Sequence, residues 1–287
     1  MVPVCYLITL ILVVRLFSTP LWGASSIKTV ETFDALAART NAIDADTLVL
    51  LDFAKVMCTH KDPWMRGYKK ERHATNSMKS FSKRTSAVAQ SLSPKKHKQL
   101  LATFYQARQY QLVDKTLPST IAKLQKKGAK IIALTSFKAS DNHAIKHQRY
   151  NALREHGIDF SKAFPRCKNI TLDTLKQNGK SPTFSRGILS NAGVFSKGDV
   201  LRAFFDAIKW QPKRVIFYDD RLDNIESVQR ALQPLNIAFE GFVYTGVKQL
   251  PAHFDPAVAA YQVQHLVERE QWMHGAIAKK MLERKKK

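Results

Sequence analysis

The segment TLVLLDFAKVMCTH, residues 47–60, carries the strongest folding signal in this chain. It opens with a short, largely apolar run rich in branched side chains, and the run ends in a lone carboxylate, Asp52. A run without polar alternation is typical of a strand that is buried on both faces of a parallel sheet. Asp52 would then stand at the carboxyl end of its strand, where sheets of this kind bind ligands.

Two later runs repeat this pattern and also end in polar side chains. IIALT ends at Thr135, and VIFYDD ends at Asp219 and Asp220. A fourth strand is predicted in IAFEGFVYTG, residues 237–246. Because helical segments alternate with these strands, we predict an α/β fold with a Rossmann-like, doubly wound parallel sheet as its core. The polar strand ends are therefore expected to meet in one crevice.

Apolar residues at helical spacing predict the connecting helices. These helices are expected in residues 29–39, 119–127, 142–157, 197–210 and 224–232, and again from about residue 255 onward. The stretch between the third and fourth of them, which contains Pro165, Pro182 and GILSNAG, is predicted to be irregular.

Residues 63–117 lack the alternation of strands and show helical spacing, with Ser93 and Pro94 as a helix start. This insert leaves the chain directly after the first strand end, so we predict that it covers the crevice as a helical cap. The predicted divisions are a leader at 1–24, a core at 25–62 and 118–254, the cap at 63–117, and a C-terminal helical segment with a basic tail at 255–287.

The N-terminus predicts export. Residues 2–14 are almost wholly apolar, which is the length of a signal-peptide core and shorter than the roughly 20 residues that span a bilayer. Gly23, Ala24 and Ser25 offer a cleavage region, although no Lys or Arg precedes the apolar stretch and Arg15 interrupts it. We predict a cleaved signal and a periplasmic or secreted protein; an uncleaved N-terminal anchor and a misassigned start codon are the alternatives.

The charge balance is strongly basic. Lys and Arg number 46 against 23 acids, a net charge of +23, and residues 61–130 contain 17 basic and 3 acidic residues, a net charge of +14. A positive field attracts small phosphorylated molecules, nucleic acid or anionic surfaces, and ordinary solvated lysines explain it equally well. The sequence shows no zinc-finger spacing and no arginine–aromatic pattern of a single-strand binder, and it indicates no particular protein partner.

The three cysteines, Cys5, Cys58 and Cys167, are too few for a disulfide scaffold, and no CxxC pair predicts a zinc site. Two unrelated buried thiols are favoured over pairing of Cys58 with Cys167.

The residues at the predicted strand ends suit phosphoryl transfer. A carboxylate such as Asp52 can attack phosphorus and form an acyl phosphate, which splits a difficult hydrolysis into two easier steps. Thr135 and Ser136 can donate hydroxyl hydrogen bonds to phosphoryl oxygens. Lys197, at the start of a predicted helix, can supply a compact cation for the negative charge of the transferring group.

Asp219 and Asp220 would face Asp52 and hold Mg²⁺, which prefers oxygen ligands. A divalent cation would also relieve the repulsion among three carboxylates in one crevice. Singly, each residue is a weak signal, because an acid or hydroxyl after a strand is often only a turn or cap residue. Their order on this strand pattern is more specific.

The segments LLDFAKV, IIALTS, Lys197 with Gly198, and VIFYDDRLDN resemble, in this order, the four motifs of the haloacid dehalogenase-like hydrolase superfamily. GIDFS, GILSNAGVFSKGDVLRAFF and VIFYDDRLDNIESV resemble more narrowly a bacterial family of exported haloacid dehalogenase-like proteins of unknown function. The resemblance covers about residues 30–250. It implies a Rossmann-like core with an inserted cap, dependence on Mg²⁺, and phosphoester hydrolysis through an aspartyl-phosphate.

The resemblance also implies a role for individual residues. Asp52 matches the nucleophile, Thr135 the phosphate-binding hydroxyl and Lys197 the stabilising lysine. The metal ligands it implies are Asp52, Asp220 with Asp219 or Asn224 assisting, and the backbone carbonyl of Ala54.

Ala54 departs from the superfamily pattern, in which a second Asp acts as the general acid and base. An alanine can do neither, and such help is typically worth about 10²–10⁴ in rate. Three hypotheses follow. We favour a Mg²⁺-dependent phosphohydrolase with weak or specialised activity, in which either the substrate has a good leaving group or His60, His73 or Lys55 supplies the proton. The alternatives are an inactive fold that binds a phosphorylated or polyanionic ligand, and a phosphonatase-like enzyme that cleaves C–P bonds.

Overall fold

The computed structural model describes residues 25–62, 88, 90–137, 147–250 and 255–285. The predicted leader and residues 63–87 of the predicted cap lie outside these ranges. Within the ranges, no helix is long and apolar enough to cross a membrane.

The strands form a large sheet and a small ribbon. The large sheet contains β1 Ser26–Val30, β2 Thr47–Leu51, β5 Lys130–Thr135, β6 Asn169–Thr171, β7 Thr183–Ser185, β8 Ile188–Ser190, β9 Arg214–Asp219 and β10 Ala238–Tyr244. The ribbon pairs β3 Cys58–His60 with β4 Tyr110–Leu112 in antiparallel fashion.

The order of the large sheet is β1–β10–β9–β2–β5–β8–β7–β6. Pairing is parallel from β1 across to β8, and only β7 and β6 continue the sheet in antiparallel fashion at its far edge. Helices flank this mostly parallel sheet, which confirms the predicted α/β fold of the Rossmann-like type.

Helices lie on both faces of the sheet. Their bounds are α1 Asp34–Ala38, α2 Pro94–Gln106, α3 Leu117–Lys126, α4 Gln148–Glu155, α5 Lys197–Ile208, α6 Leu222–Leu232, α7 Pro256–Arg269 and α8 Gly275–Lys285. Val49 and Leu51 pack into one core with side chains of α1, α3 and α4. Leu48 and Leu50 pack into the other core with α5 and α6. This alternation explains why β2 is apolar from Leu48 to Leu51 and buried on both faces.

Strand β2 lies at the centre of the sheet, between β9 and β5. Because the three strands are parallel, their carboxyl ends lie at the same edge. Backbone pairing continues one residue past β2, where the amide of Asp52 donates to the carbonyl of Tyr218 at 2.9 Å. The fold therefore brings together the strand ends that the sequence predicts to meet.

Two local predictions are wrong. Residues 29–39 are not one helix: Ser26–Val30 forms the edge strand β1, paired with β10, and only Asp34–Ala38 is α-helical. The stretch predicted to be irregular contains β6, β7 and β8, of which β8 pairs with β5. These strands have three residues each, too few to show a period, and neighbouring strands stabilise them.

The insert after β2 is framed by the ribbon. The chain enters it through β3 and leaves it through β4, so the helical prediction for residues 63–117 is wrong at Tyr110–Leu112. Helix α2 begins as predicted, with the Ser93 hydroxyl accepting from the amide of Lys96. Lys96 pairs with Glu270 at the end of α7. The domain boundaries themselves remain predictions.

Candidate functional site

Lys197 is the centre of the site at the carboxyl edge. Its Nζ lies 2.9 Å from Oδ1 of Asp52 and 2.5 Å from Oδ2 of Asp219, and its side chain is 1% exposed. Burial works against the charged form, but the two carboxylates outweigh it and raise the pKa of Lys197. The ammonium therefore stays charged and holds the ends of β2 and β9 together.

The start of α5 is built to place this lysine. The Ser196 hydroxyl caps the helix by accepting from the amide of Asp199 at 3.1 Å. A Cβ on Gly198 would lie 2.1 Å from the carbonyl oxygen of Ser227, so only glycine lets α5 approach α6 this closely. Lys197 thus supplies the buried cation, and Gly198 permits the close contact between α5 and α6 that buries it.

The carboxylates of Asp52, Asp219 and Asp220 form a compact cluster, in which one oxygen from each lies within 4.8 Å of the others. Asp219 is fully buried, and its Oδ1 accepts from the Asn224 side chain and from the amide of Arg221, both at 2.9 Å. Asp220 is half-buried, with Oδ2 3.8 Å from Nζ of Lys55.

Both acids of β9 hold protons more tightly than an exposed acid. Burial raises the pKa of Asp219 to about 7, and the Asp52 charge adds to this while Lys197 opposes it. Burial, again with help from Asp52, raises the pKa of Asp220. A bound cation would favour the charged forms of both groups.

The cluster fits a hard divalent cation. Its donors are carboxylate oxygens, and three carboxylates against the one buried ammonium leave two negative charges. Asp52 and Asp220 are the best placed direct ligands, because both oxygens of Asp219 already accept hydrogen bonds. The predicted role of the Ala54 carbonyl remains a prediction.

Hydroxyl groups lie on the β5 side of the site. Thr135 is buried, and its Oγ1 accepts a hydrogen bond from Nη1 of Arg149. Ser136 is exposed; its carbonyl accepts from Nη2 of Arg149 at 3.1 Å, and its hydroxyl accepts from Nδ2 of Asn191 at 3.1 Å. The predicted Thr135 and Ser136 are thus joined by two residues that were not predicted, Arg149 and Asn191.

A signal for Asn191 was present in the sequence. It follows β8, where the short apolar run GIL ends in a polar pair as IIALT does, and Ser190 is in register with Thr135. Arg149 carries no such signal, because it reaches the site from within α4, where only helical spacing is visible.

The loop after Asp52 places Lys55 next to a carboxylate of the site. The amide of Lys55 donates to the carbonyl of Cys58 at 2.7 Å, and this tight turn gives Lys55 a φ of 66°. The ring of His60 packs on Tyr110 in the ribbon, with centroids 4.6 Å apart. His73 lies outside the described residues. Among the three predicted proton donors, Lys55 is the one whose position next to a site carboxylate is established.

Residues 29–278 match a family described as proteins of unknown function (DUF2608). The chain belongs to the DUF2608 family. The matched range includes every residue of the site described above.

The family predicted from the sequence is therefore wrong: the match is to DUF2608, and the resemblance to the haloacid dehalogenase-like superfamily does not define the family of this chain. The physical reason is that the resemblance rested on short motifs at strand ends. Acids and hydroxyls at the carboxyl edge are a general feature of ligand sites in parallel sheets, so their order does not identify a family.

Relatives of this DUF2608 chain include proteins of Rickettsia and Chlamydia. An uncharacterized protein of Rickettsia prowazekii (strain Madrid E) is 25% identical over 243 residues, which cover 84% of each chain. A protein of Chlamydia trachomatis serovar D named "Putative outer membrane protein" is 26% identical over 161 residues, 55% of this chain and 57% of the relative. A Chlamydia muridarum protein of the same name is 31% identical over 90 residues, 31% of this chain and 33% of the relative. No solved structure matches the chain significantly.

Proposed function

We propose that this protein is a Mg²⁺-dependent phosphohydrolase that acts through an aspartyl-phosphate on Asp52. One observation carries the proposal: a buried ammonium, three clustered carboxylates and two hydroxyls meet at the carboxyl edge of a parallel sheet. This combination pairs a nucleophile with groups that can neutralise the charge of a transferring phosphoryl group.

Each residue has a chemical role in this proposal. Asp52, whose Oδ1 lies 2.9 Å from Nζ of Lys197, attacks phosphorus, and the bond from phosphorus to the leaving oxygen breaks. Water then hydrolyses the acyl phosphate, which releases inorganic phosphate and restores the carboxylate. Asp52 and Asp220 would hold Mg²⁺, which supplies positive charge next to the phosphoryl oxygens.

The absence of an acidic side chain at residue 54 determines which substrates are expected. The methyl group of Ala54 cannot protonate a leaving oxygen, so phenolates, which leave without a proton, should be favoured over alkoxides. Lys55, whose ammonium lies 3.8 Å from Asp220, is the described residue best placed to supply a proton. Activity is therefore weak or specialised.

A second function is binding of a phosphorylated or polyanionic ligand without turnover. The exposed Ala54 favours it, because this loop offers no carboxylate beyond Asp52 to activate water. The net charge of +23 would assist binding of a small phosphorylated molecule, a nucleic acid or an anionic surface. Such binding should weaken steeply with ionic strength, and an affinity indifferent to salt would argue against a role for this charge.

We also propose an envelope location. The chlamydial relatives carry the name of outer membrane proteins, and residues 2–14 of this chain are almost wholly apolar. Cleavage of a signal and release into the periplasm or medium is the finer form of this proposal. N-terminal sequencing of the mature protein tests it, and an intact Met1 in a soluble fraction would contradict it.

The enzyme proposal is tested by turnover of an aryl phosphate with Mg²⁺. Asp52→Asn should abolish turnover, because an amide cannot form the acyl phosphate. Asp46→Asn is the matched control, since Asp46 precedes the opposite end of β2 and should leave the rate unchanged. Equal rates for Asp52→Asn and the wild type would refute the hydrolase. A wild-type protein that binds phosphate without turnover would support the binding function.

A further inference from the structure

Arg149 is a fixed guanidinium beside the candidate phosphoryl site. It donates from Nη1 to the Thr135 hydroxyl and from Nη2 to the Ser136 carbonyl. Its Cζ also lies 5.1 Å from the ring centroid of Phe53 and 4.7 Å from that of Phe137. Hydrogen bonds and two aromatic rings therefore hold the planar group in one orientation, which lowers the entropy lost when a ligand binds.

The charge of Arg149 lacks a close carboxylate in the described part of the chain. Its hydrogen bonds there go to a hydroxyl and a carbonyl, both of which are neutral. Burial lowers the pKa of Arg149, and the nearby charge of Asp52 opposes this effect without a direct contact. A half-buried guanidinium with neutral partners favours anion binding. A negatively charged ligand would compensate for the hydration that the guanidinium lost on burial.

The bond from Arg149 also sets the direction in which the Thr135 hydroxyl acts. Since Oγ1 accepts from Nη1, the hydroxyl proton points away from Arg149 and can be donated to a second acceptor. The neighbouring Ser136 hydroxyl accepts from Asn191 and has its proton available in the same way. Two hydroxyl donors and one guanidinium thus lie at the end of β5.

We propose that Arg149, with the hydroxyls of Thr135 and Ser136, binds a tetrahedral oxyanion, and that this oxyanion is the phosphoryl group of the substrate. The inference rests on the proposed function for the identity of the group. It assigns the two cations different tasks. Lys197 is enclosed between Asp52 and Asp219 and pairs with the nucleophile, whereas Arg149 binds the incoming anion.

Binding of inorganic phosphate to the full chain, measured by calorimetry with Mg²⁺ and again with EDTA, tests this inference. Arg149→Gln should weaken phosphate binding by about tenfold or more in both buffers, because a charged hydrogen-bond donor is lost. Arg149→Lys should fall between Arg149→Gln and the wild type. Arg154→Gln is the matched control: it removes a charge from the same helix, at an exposed site paired with Asp159, and should not change the affinity.

A purely structural role for Arg149 predicts a different result. In that case Arg149→Gln would lower the melting temperature and leave the affinity of the folded protein for phosphate unchanged, which would overturn the inference. Absence of phosphate binding by the wild type would overturn it as well. If Arg149→Gln does not fold, wild-type affinity for phosphate in the Arg149→Lys variant would overturn the inference instead. Failure of the hydrolase proposal is recognised separately, by equal turnover of Asp52→Asn and the wild type.

Discussion

Nζ of Lys197 lies 2.9 Å from Oδ1 of Asp52 and is closed off from solvent, so the nucleophile proposed for this protein has a permanent cationic partner. The same ammonium contacts Asp219, which follows a different strand of the sheet. One buried cation thus balances part of the negative charge of the site and joins two strand ends. The stability of the fold and the proposed chemistry therefore both depend on Lys197.

Replacement of Lys197 by Met should destabilise the fold. Asp52 and Asp219 would remain buried without their cation, and breaking a buried ion pair typically costs about 3–5 kcal/mol. Urea denaturation in metal-free buffer measures the loss. Lys213→Met is the control, because Lys213 pairs with Asp46 on the surface and its removal should leave the free energy of unfolding unchanged. Equal stability of Lys197→Met and wild type would show that the buried pair does not stabilise the fold.

The stability of the metal-free protein should fall as pH rises from about 5 to 7. Burial raises the pKa of Asp219 from 3.8 in its ordinary state to about 7 when folded, so in this interval the folded state holds a proton that the unfolded chain has lost. Stability then decreases with pH, by at most about 1.4 kcal/mol per pH unit. Lys197, whose pKa is raised from 10.5, stays charged throughout.

This pH effect is isolated by comparison with Asp219→Asn. The variant has no proton to lose at this residue, so its stability should fall less steeply over the same interval. Saturating Mg²⁺ should flatten the wild-type curve, because a cation favours the charged carboxylates. Parallel curves for wild type and Asp219→Asn would contradict the assignment of the effect to Asp219.

Mg²⁺ should raise the melting temperature of the wild type. A ligand that binds only the folded state at 100 times its dissociation constant adds about 2.7 kcal/mol. Asp220→Asn should remove most of this gain by removing a direct ligand. Asp223→Asn is the control, since Asp223 lies nearby in the first turn of α6 but is exposed and paired with Arg221. A gain that survives in Asp220→Asn would place the cation elsewhere.

Ala54→Asp should raise turnover of alkyl phosphates by about 10²–10⁴ if the missing acid limits the rate. Aryl phosphates should respond much less, since their leaving groups need no proton. Ala54 is exposed, so the new carboxylate needs no rearrangement of the core. Lys55→Ala is the companion variant: if Lys55 donates the proton, it should lower alkyl phosphate turnover in the wild type. No change in Ala54→Asp would show that protonation is not limiting.

The central strands could be predicted because a strand that is buried on both faces of a sheet has a continuous apolar run in its sequence. LVLL, IIAL and VIFY are apolar at consecutive positions, and the structure has β2, β5 and β9 there. The outer strands on the two sides of the sheet could not be predicted in the same way. Strand β1 is half-exposed, and β6 to β8 are three residues long, so pairing with neighbours stabilises them more than any local pattern does.

The clustering of the candidate site residues could be predicted to the same extent as the strands. Asp52, Thr135, Asp219 and Asp220 follow strands whose order and direction bring their ends together. Arg149 could not be predicted, because the spacing of residues in an amphipathic helix does not show which of them lies next to the end of a strand. The family was predicted wrongly for a related reason: strand-end residues report the architecture of a parallel sheet, and many families share that architecture.

For this protein, the amino-acid pattern alone specifies a central parallel sheet with acids and hydroxyls at its carboxyl edge, because burial selects apolar residues at every position of a central strand. Which cation meets which carboxylate depends on helix packing over long sequence separations. Gly198 lets α5 approach α6 and so buries Lys197 between Asp52 and Asp219, and the packing of α4 brings Arg149 to Thr135. Those contacts depend on the assembled fold, since the local spacing of apolar residues in the sequence does not predict them.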